Sequence, residues 1–246
     1  IESRIRRSSR VHRFPIRAKA RVTEQTQRLP VAPATEASEL RFLVTGGTGF
    51  IGRKLCRTLV SAGHHVTVLS RSPNRVRQTC GETATPITDL GALGRQERFH
   101  GIVNLAGEPI FGPRWSTTRK QIIWDSRVRL TDQLVGFIAD TDCKPGVLLS
   151  ASAIGVYGNQ GDRLLDESSA AVDGFSHRLC SAWESSAMRA CEFGVRVCTL
   201  RTGLVLGPSG GFLERLLPPF RLGLGGRLGS GEQWMSWIHL DDHVAA

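Results

Sequence analysis

A glycine-rich turn between a buried strand and a helix constrains the fold of this chain more than any other feature. Residues 42–44 form a short apolar run typical of a buried parallel strand, and apolar residues recur at helical spacing after residue 50. Between them, Gly46, Gly49 and Gly52 are spaced G-x-x-G-x-x-G, close to the G-x-G-x-x-G turn that binds dinucleotides. This glycine turn, residues 46–52, therefore predicts a strand–turn–helix unit that holds a pyrophosphate.

Each position of the turn requires a glycine for a different physical reason. One makes the tight bend, one lets the backbone approach the pyrophosphate, and one lets the helix pack closely on the strand. The first N–H groups of the helix, at Phe50 and Ile51, are expected to face the phosphates at the positive end of the helix dipole. The alternatives are an ordinary strand-to-helix turn and a P-loop. A P-loop is disfavoured because Arg53 stands in place of its lysine and the following hydroxyl residue is missing.

The end of the second predicted strand, residues 65–70, indicates which dinucleotide binds. NAD sites carry an acidic residue about 20 positions after the glycines, whereas an arginine there accommodates the 2′-phosphate of NADP. No acidic residue occurs between Gly52 and Glu82, and Arg71 follows the strand directly. Because a planar guanidinium suits a phosphate dianion, we expect NADP rather than NAD. The alternative is that this arginine belongs to an ordinary solvated surface.

Strand and helix patterns alternate along the rest of the chain. A third strand is predicted to end at residues 87–90, and residues 101–107 are predicted to form a strand and its turn. Further strands are predicted at residues 146–152, 196–201 and 237–240, and long helices at 116–139 and 176–193. Repeated units of this kind predict an α/β, Rossmann-like fold with a doubly wound parallel sheet over residues 40–246. Asn104 ends a strand at the carboxyl edge, where such sheets bind ligands, and Gly107 lies in the turn after it. Asp89 is expected near the adenine.

The segment from residue 203 to 231 is rich in glycine and proline and predicts a long loop that binds a ligand. Apolar residues within it predict a short amphipathic helix. After the loop, Asp241 or Asp242 is expected to cap a last helix.

The positive charge of the chain is concentrated near its first residue. The net charge is +10, and residues 1–21 contain eight basic side chains and one acidic one. A basic segment of this kind is more typical of an organelle transit peptide than of a nucleic-acid-binding tail, and we expect a plastid, with the mitochondrion as the alternative. Residues 1–39 are therefore interpreted as a disordered transit peptide and linker that lie outside the fold.

The remaining composition argues against metal and membrane sites. The six cysteines form no C-x-x-C pair, so they resemble small buried apolar residues of a reducing compartment, and no metal site is expected. No run approaches the ~20 apolar residues of a membrane-spanning helix.

Several stretches together resemble the extended short-chain dehydrogenase/reductases, the relatives of nucleotide-sugar epimerases and dehydratases. They are the glycine turn, residues 104–107, residues 150–152 leading to 156–158, and residues 237–242. Residues 126–127, 183–184, 201–207 and 217–226 narrow the resemblance to the atypical epimerase family proteins of the 39U type, which have a plastid homologue in plants. The resemblance covers about residues 40–246, and it implies that a C-terminal segment that helps to build the substrate site is not in this chain.

The resemblance implies roles for individual residues. Ser70 and Arg71 would hold the adenosine phosphate end of NADP, and Leu105 and Ala106 would line the cofactor. Arg127 would reach a phosphate. Val205 would lie near the nicotinamide side.

The catalytic pair of the wider superfamily is absent. Those enzymes use Tyr-x-x-x-Lys, in which the lysine lowers the pKa of the tyrosine. Counting back from Glu184, the two positions hold Ser176 and Cys180. Ser152 matches the position of the catalytic serine, and Tyr157 is the single tyrosine of the chain, so these two are the candidates for acid–base chemistry. A purely structural role for Tyr157 is the alternative.

Two functional hypotheses follow. The first is an NADP-dependent oxidoreductase or epimerase that acts by hydride transfer on an unspecified small molecule, with nucleotide-linked compounds as one candidate class. The second is a cofactor-binding protein without turnover that has a regulatory or assembly role in a plastid. The missing pair favours the second, and the cofactor residues fit both.

Overall fold

A computed structural model gives the fold and describes residues 39–112, 114–227 and 229–246. The transit peptide and almost all of the linker predicted for residues 1–39 lie outside the described residues.

Six parallel strands form the main sheet, in the order β3-β2-β1-β4-β5-β6. The strands are β1 (Arg41–Thr45), β2 (His65–Leu69), β3 (Thr85–Ile87), β4 (Gly101–Asn104), β5 (Val147–Ala153) and β6 (Arg196–Thr202). This strand order is that of two mononucleotide-binding halves joined back to back, and it confirms the predicted Rossmann-like, doubly wound sheet.

Helices lie between the strands in sequence, and two more come after the last strand of the main sheet. They are α1 (Phe50–Ser61), α2 (Val76–Cys80), α3 (Thr117–Asp125), α4 (Val128–Asp140), α5 (Phe175–Met188), α6 (Gly211–Arg221) and α7 (Leu240–Ala245). Strands β7 (Leu204–Leu206) and β8 (Trp237–His239) pair in parallel as a separate small sheet. Helix α6 is the short amphipathic helix predicted within residues 203–231.

Both faces of the main sheet are buried, which follows from the alternation of side chains along a strand. Leu43 of β1 packs into an apolar cluster with Ile102, Leu134 and Leu148. The next residue, Val44, packs into a second cluster that contains residues of α1, β2 and α2. The two clusters lie on opposite faces, so the sheet is covered by helices on both sides.

Three local predictions were wrong: the end of the third strand, the cap of the last helix, and the continuity of the helix at residues 116–139. The third strand is Thr85–Ile87 rather than residues 87–90, and Asp89 instead caps a short 3₁₀ turn by accepting a hydrogen bond from the Gly91 N–H at 2.5 Å. The last helix is capped by His239, whose ring nitrogen accepts from the Asp241 N–H at 3.3 Å, and not by either aspartate. Asp89 therefore lies in a turn rather than in a strand, and neither Asp241 nor Asp242 supplies the predicted cap.

The helix predicted at residues 116–139 is two helices, α3 and α4, interrupted at Ser126 and Arg127. The Ser126 hydroxyl donates to the Ile123 carbonyl oxygen at 2.9 Å, and the Arg127 guanidinium donates to the same oxygen at 3.2 Å. Side chains thus compete with the backbone for a helical acceptor, which ends α3 and starts a new helix.

The sheet reverses its winding direction between β1 and β4, where Thr45 lies beside Asn104. Connections leave these two strands toward opposite sides of the sheet. A crevice therefore opens at their carboxyl ends, and this is where ligands bind in open α/β sheets.

Candidate functional site

A groove of about 1330 Å³ lies at this switch point, and we call it the switch-point groove. Five segments supply its wall: the glycine turn, the end of β2, the loop after β3, the loop after β4, and helix α4. The predicted site residues among the lining are Gly46, Gly49, Ser70, Arg71, Asp89, Leu105, Ala106 and Gly107. The sequence thus places these residues around one cavity although they are spread over about 60 positions.

The glycine turn fits the backbone of the neighbouring strand closely. Gly46 has a φ of +69°, and a Cβ there would lie 2.6 Å from the Leu105 carbonyl carbon. A Cβ on Gly52 would overlap the Gly46 carbonyl oxygen. Gly49 is different, because its Cβ would meet only that oxygen, at 3.1 Å, and the residue lines the groove. The three glycines therefore serve the bend, the helix packing and the open groove respectively.

Helix α1 begins at the groove without a side-chain cap. Its N-cap is Gly49, and no acidic residue lies in its first turn. The first N–H groups of an α-helix have no intrahelical acceptor, so those of Phe50, Ile51 and Gly52 are available to an anion. The Phe50 ring points elsewhere and packs against the backbone of Gly210 and Gly211. Phe50 and Ile51 can therefore serve a ligand through the main chain.

Ser70 and Arg71 mark the end of β2. The Ser70 hydroxyl accepts a hydrogen bond from the Ser72 N–H at 3.1 Å, which holds the chain in a turn after the strand. The Arg71 side chain is 94% exposed, and its Nη2 lies 3.7 Å from Oε2 of Glu108, which belongs to the loop after β4. A guanidinium is thus free to move at the edge of the groove.

Asn104 lies beneath the groove rather than on its wall. Its side chain is 1% exposed and bonds three hydroxyls: it accepts from Thr45 at 2.7 Å and donates to Thr131 at 2.8 Å and Ser150 at 3.2 Å. The Thr45 hydroxyl also accepts from the Ala106 N–H at 3.2 Å. Asn104 therefore joins β1, β4, β5 and α4 and fixes the loop that forms the groove wall.

Arg127 also lies behind the wall. Its Nη1 donates to the Glu108 carbonyl oxygen at 3.1 Å, and its guanidinium stacks on the Trp183 ring at 5.4 Å. A Cβ on Gly107 would come within 2.9 Å of its Cζ, so this glycine lets the loop cross the guanidinium. Burial lowers the pKa of Arg127. No carboxylate of the described residues lies within 4.0 Å of this cation.

Val205 is buried on β7, and its carbonyl oxygen faces Gly211. It does not line the switch-point groove. Its strand pairs with β8 in the small sheet and not with the main sheet.

Ser152 and Tyr157 are joined by two charged residues, and we call the four the serine–tyrosine network. The Ser152 hydroxyl donates to Glu184 Oε1 at 2.5 Å. Arg201 binds both oxygens of Glu184, at 3.0 and 2.9 Å, and its Nη1 donates to the Tyr157 hydroxyl oxygen at 3.2 Å. The Arg201 guanidinium also lies over the Tyr157 ring.

The electrostatics of this network favour a permanent ion pair. Burial raises the pKa of Glu184, but hydrogen bonds from Arg201 and Ser152 outweigh this and hold the pKa below its ordinary value. The hydrogen bond to Glu184 raises the pKa of Arg201. A carboxylate and a guanidinium therefore link the two candidate catalytic hydroxyls at neutral pH.

Sequence reasoning missed the roles of Glu184 and Arg201. One clue to Arg201 is visible in the sequence, which is its position at the end of a predicted strand. In the structure that strand, β6, pairs with β5 and places Arg201 beside Ser152. The network borders a second cavity of about 590 Å³, lined by Tyr157, Glu184 and Arg201 together with His177 of α5. At the positions of the missing pair, Cys180 is buried and burial raises its pKa, so it is no substitute for a lysine.

The described part of the chain contains no helix long and apolar enough to span a bilayer. Within the same ranges, no group of three histidine, cysteine or acidic side chains is arranged to hold a metal ion.

Comparison with known proteins places the chain in a family. A family model described as the NAD dependent epimerase/dehydratase family matches residues 42–246. The SDR39U1 homologue of Arabidopsis thaliana, an epimerase family protein named as chloroplastic, is 38% identical over 218 residues, which cover 84% of this chain and 61% of the relative. This chain thus spans less than two thirds of that protein.

Two solved structures are similar in sequence and fold. The human epimerase family protein SDR39U1 with NADPH superposes with a TM-score of 0.72 at 34% identity, covering 83% of this chain and 68% of that one. A nucleoside-diphosphate sugar epimerase from Corynebacterium glutamicum gives a TM-score of 0.68 at 32% identity, covering 84% and 42%. The chain therefore belongs to the NAD dependent epimerase/dehydratase family and has SDR39U1-type proteins among its homologues.

Proposed function

We propose that this chain is the NADP-binding part of an epimerase-like oxidoreductase that transfers hydride on a small-molecule substrate. The observation that carries the proposal is the switch-point groove, which has an uncapped helix N-terminus at the glycine turn and a guanidinium, Arg71, where NAD-binding folds carry a carboxylate. The human relative holds NADPH, whereas the family description names NAD, so the preference for NADP rests on Arg71.

The residues present fit a dinucleotide. Backbone N–H groups of α1 and the open face of Gly49 suit a pyrophosphate, and Ser70 with Arg71 suits a 2′-phosphate. Leu105, Ala106 and Gly107 form the opposite wall for the adenosine. Asn104 fixes that wall from below, and Val205 is assigned to the nicotinamide side. Arg127 adds a cation behind the wall that has no carboxylate of the described residues within 4.0 Å. When bound, the cofactor supplies a hydride acceptor and donor.

The chain itself provides the proton chemistry through the serine–tyrosine network. A carboxylate can only accept, so the Ser152 hydrogen is committed to Glu184 and the serine oxygen is left to accept from a substrate hydroxyl. A guanidinium can only donate, so the Tyr157 oxygen accepts from Arg201 and its own hydrogen is free to donate. We propose Tyr157 as the acid, Ser152 as the group that positions the substrate, and Arg201 as the cation that replaces the missing lysine.

A nucleotide-linked substrate is the class we propose. The support is that the C. glutamicum relative is named a nucleoside-diphosphate sugar epimerase. The basic N-terminal segment and the chloroplastic name of the Arabidopsis relative support a plastid location.

The proposal is tested by incubating the full-length protein with NADPH or NADP⁺ and a panel of nucleoside-diphosphate sugars, with products separated by chromatography. We expect cofactor-dependent conversion of at least one sugar, and we expect Tyr157→Phe to abolish it while NADPH binding is retained. Tight NADPH binding with no conversion of any compound would instead favour the cofactor-binding protein without turnover.

A further inference from the structure

Glu108 is a carboxylate held in a fixed position on the wall of the switch-point groove. Its backbone N–H donates to the Ser126 hydroxyl at 2.9 Å, and its carbonyl oxygen accepts from Arg127 at 3.1 Å. Both main-chain groups are thus tied to the break between α3 and α4. The side chain is 24% exposed and lines the groove. Its carboxylate is held there by the ion pair with Arg119.

Two arginines share this carboxylate, and they differ in freedom. Arg119 is 13% exposed and its Nη1 lies 3.1 Å from Oε1. Arg71 is 94% exposed and its Nη2 lies 3.7 Å from Oε2. Arg119 is therefore the permanent partner, whereas Arg71 reaches Glu108 as an exposed side chain that can leave.

The exposed partner is the residue assigned to the 2′-phosphate. A phosphate that binds Arg71 either draws the guanidinium away from Glu108 or lies near a second negative charge. When Arg71 leaves, Glu108 keeps Arg119, so no carboxylate is left unpaired in the wall. The exchange is therefore reversible at low cost, as is usual for exposed ion pairs.

From this geometry we propose that Glu108 competes with the 2′-phosphate for Arg71 and so limits the preference of the chain for NADP over NAD. The inference rests on the proposed cofactor site. It makes Glu108 a specificity-determining residue of the opposite sign to Arg71: the arginine raises the affinity for NADP and the carboxylate lowers it.

The competition applies to only one of the two cofactors. NAD carries a ribose hydroxyl instead of the 2′-phosphate, and a hydroxyl can donate to a carboxylate. Removing the charge of Glu108 therefore favours NADPH and brings no gain for NADH. This difference separates competition for Arg71 from a general loosening of the groove, which would affect both cofactors alike.

The test is titration calorimetry of the full chain with NADPH and with NADH, comparing the native protein with Glu108→Gln. The amide keeps an oxygen that can accept from Arg119 and removes the charge. Glu97→Gln is the matched control, since Glu97 is also partly exposed and pairs with an arginine, Arg41, but does not line the groove. Thermal unfolding of each variant checks that the fold is kept.

We expect Glu108→Gln to lower the Kd of NADPH about fivefold, the upper range for an exposed ion pair, and to leave that of NADH unchanged or raised. Glu97→Gln should change neither. In an Arg71→Ala background, Glu108→Gln should increase the affinity for NADPH by less than it does in the native protein. An equal change for both cofactors, no change, or weaker NADPH binding would overturn the inference while leaving the cofactor site intact. Native protein that binds neither cofactor would overturn the proposed function as well.

Discussion

The three glycines of the glycine turn show how single residues can meet different constraints within one motif. Gly46 needs a positive φ and lies against the backbone after β4, and Gly52 lies against the Gly46 carbonyl, so both are required by the fold. Gly49 has an ordinary φ of −77°, and a Cβ there would meet a single atom, the Gly46 carbonyl oxygen at 3.1 Å. The fold therefore constrains it less than the other two, and its main constraint is the groove that it lines. The sequence motif predicts these three roles without saying which glycine has which. The contacts of each glycine in the structure assign the roles individually.

Substitutions at two of these glycines should therefore separate stability from binding. Gly52→Ala places a methyl group on the Gly46 carbonyl oxygen and should lower the free energy of unfolding by about 1–3 kcal/mol, as overpacking does. Gly49→Val should leave the unfolding midpoint closer to native and abolish NADPH binding. Urea denaturation and cofactor titration measure the two effects, and loss of stability in both variants alike would contradict the assignment.

The Glu184–Arg201 ion pair makes a prediction for pH. The pKa of Glu184 is below its ordinary value of 4.5 in the folded state, so the pair stabilises the fold above that value and the contribution is lost as the pH falls through the folded pKa. We expect Glu184→Gln to be less stable than the native protein at pH 7, with the difference shrinking at acid pH.

Urea unfolding at a series of pH values checks this. Glu82→Gln is the control, because Glu82 is exposed and has no basic group of the described residues within 4.0 Å. A difference between native and Glu184→Gln that stays constant down to the acid range would contradict a charged pair.

At the scale of elements, the carboxyl ends of β1, β4 and β5 are held together by one buried amide. Asn104 satisfies hydroxyls from β1, β5 and α4, and the α3–α4 break supplies the hydrogen bonds that position the next loop. The polar pattern of the sequence places Asn104 at the edge of the sheet and suggests a direct ligand contact. Because it is 1% exposed, we propose that it acts through the loop that it supports.

Asn104→Leu should be strongly destabilising although the two side chains are similar in size. The change leaves the hydroxyls of Thr45, Thr131 and Ser150 without their shared partner, and each buried unsatisfied group costs about 1–3 kcal/mol, part of which can be relieved by rotation of the hydroxyl. We expect a loss of about 2–4 kcal/mol in the free energy of unfolding. Asn74→Leu, at an exposed position, should change it by less than about 0.5 kcal/mol.

At the scale of the whole molecule, apolar runs and helical spacing predicted the doubly wound parallel sheet and most of its strands and helices. They do so because these patterns depend on which faces of each element are buried. The same spacing continues through Ser126 and Arg127, so it predicted one helix. In the structure the side chains of these two residues end α3, and α4 begins after them. It also could not find Glu108 as the partner of Arg71, or Glu184 and Arg201 between Ser152 and Tyr157. Those contacts join residues 17 to 44 positions apart and depend on tertiary packing.

We propose that Arg71, at the edge of the switch-point groove, selects the phosphorylated dinucleotide. Titration calorimetry of native protein and Arg71→Asp with NADPH and NADH tests it most directly. We predict that the native protein binds NADPH more tightly, and that Arg71→Asp weakens NADPH about a hundredfold, the loss of a charge-assisted contact, with little change for NADH. Equal weakening of both cofactors by Arg71→Asp, or no heat with either cofactor from the native protein, would contradict this role of Arg71.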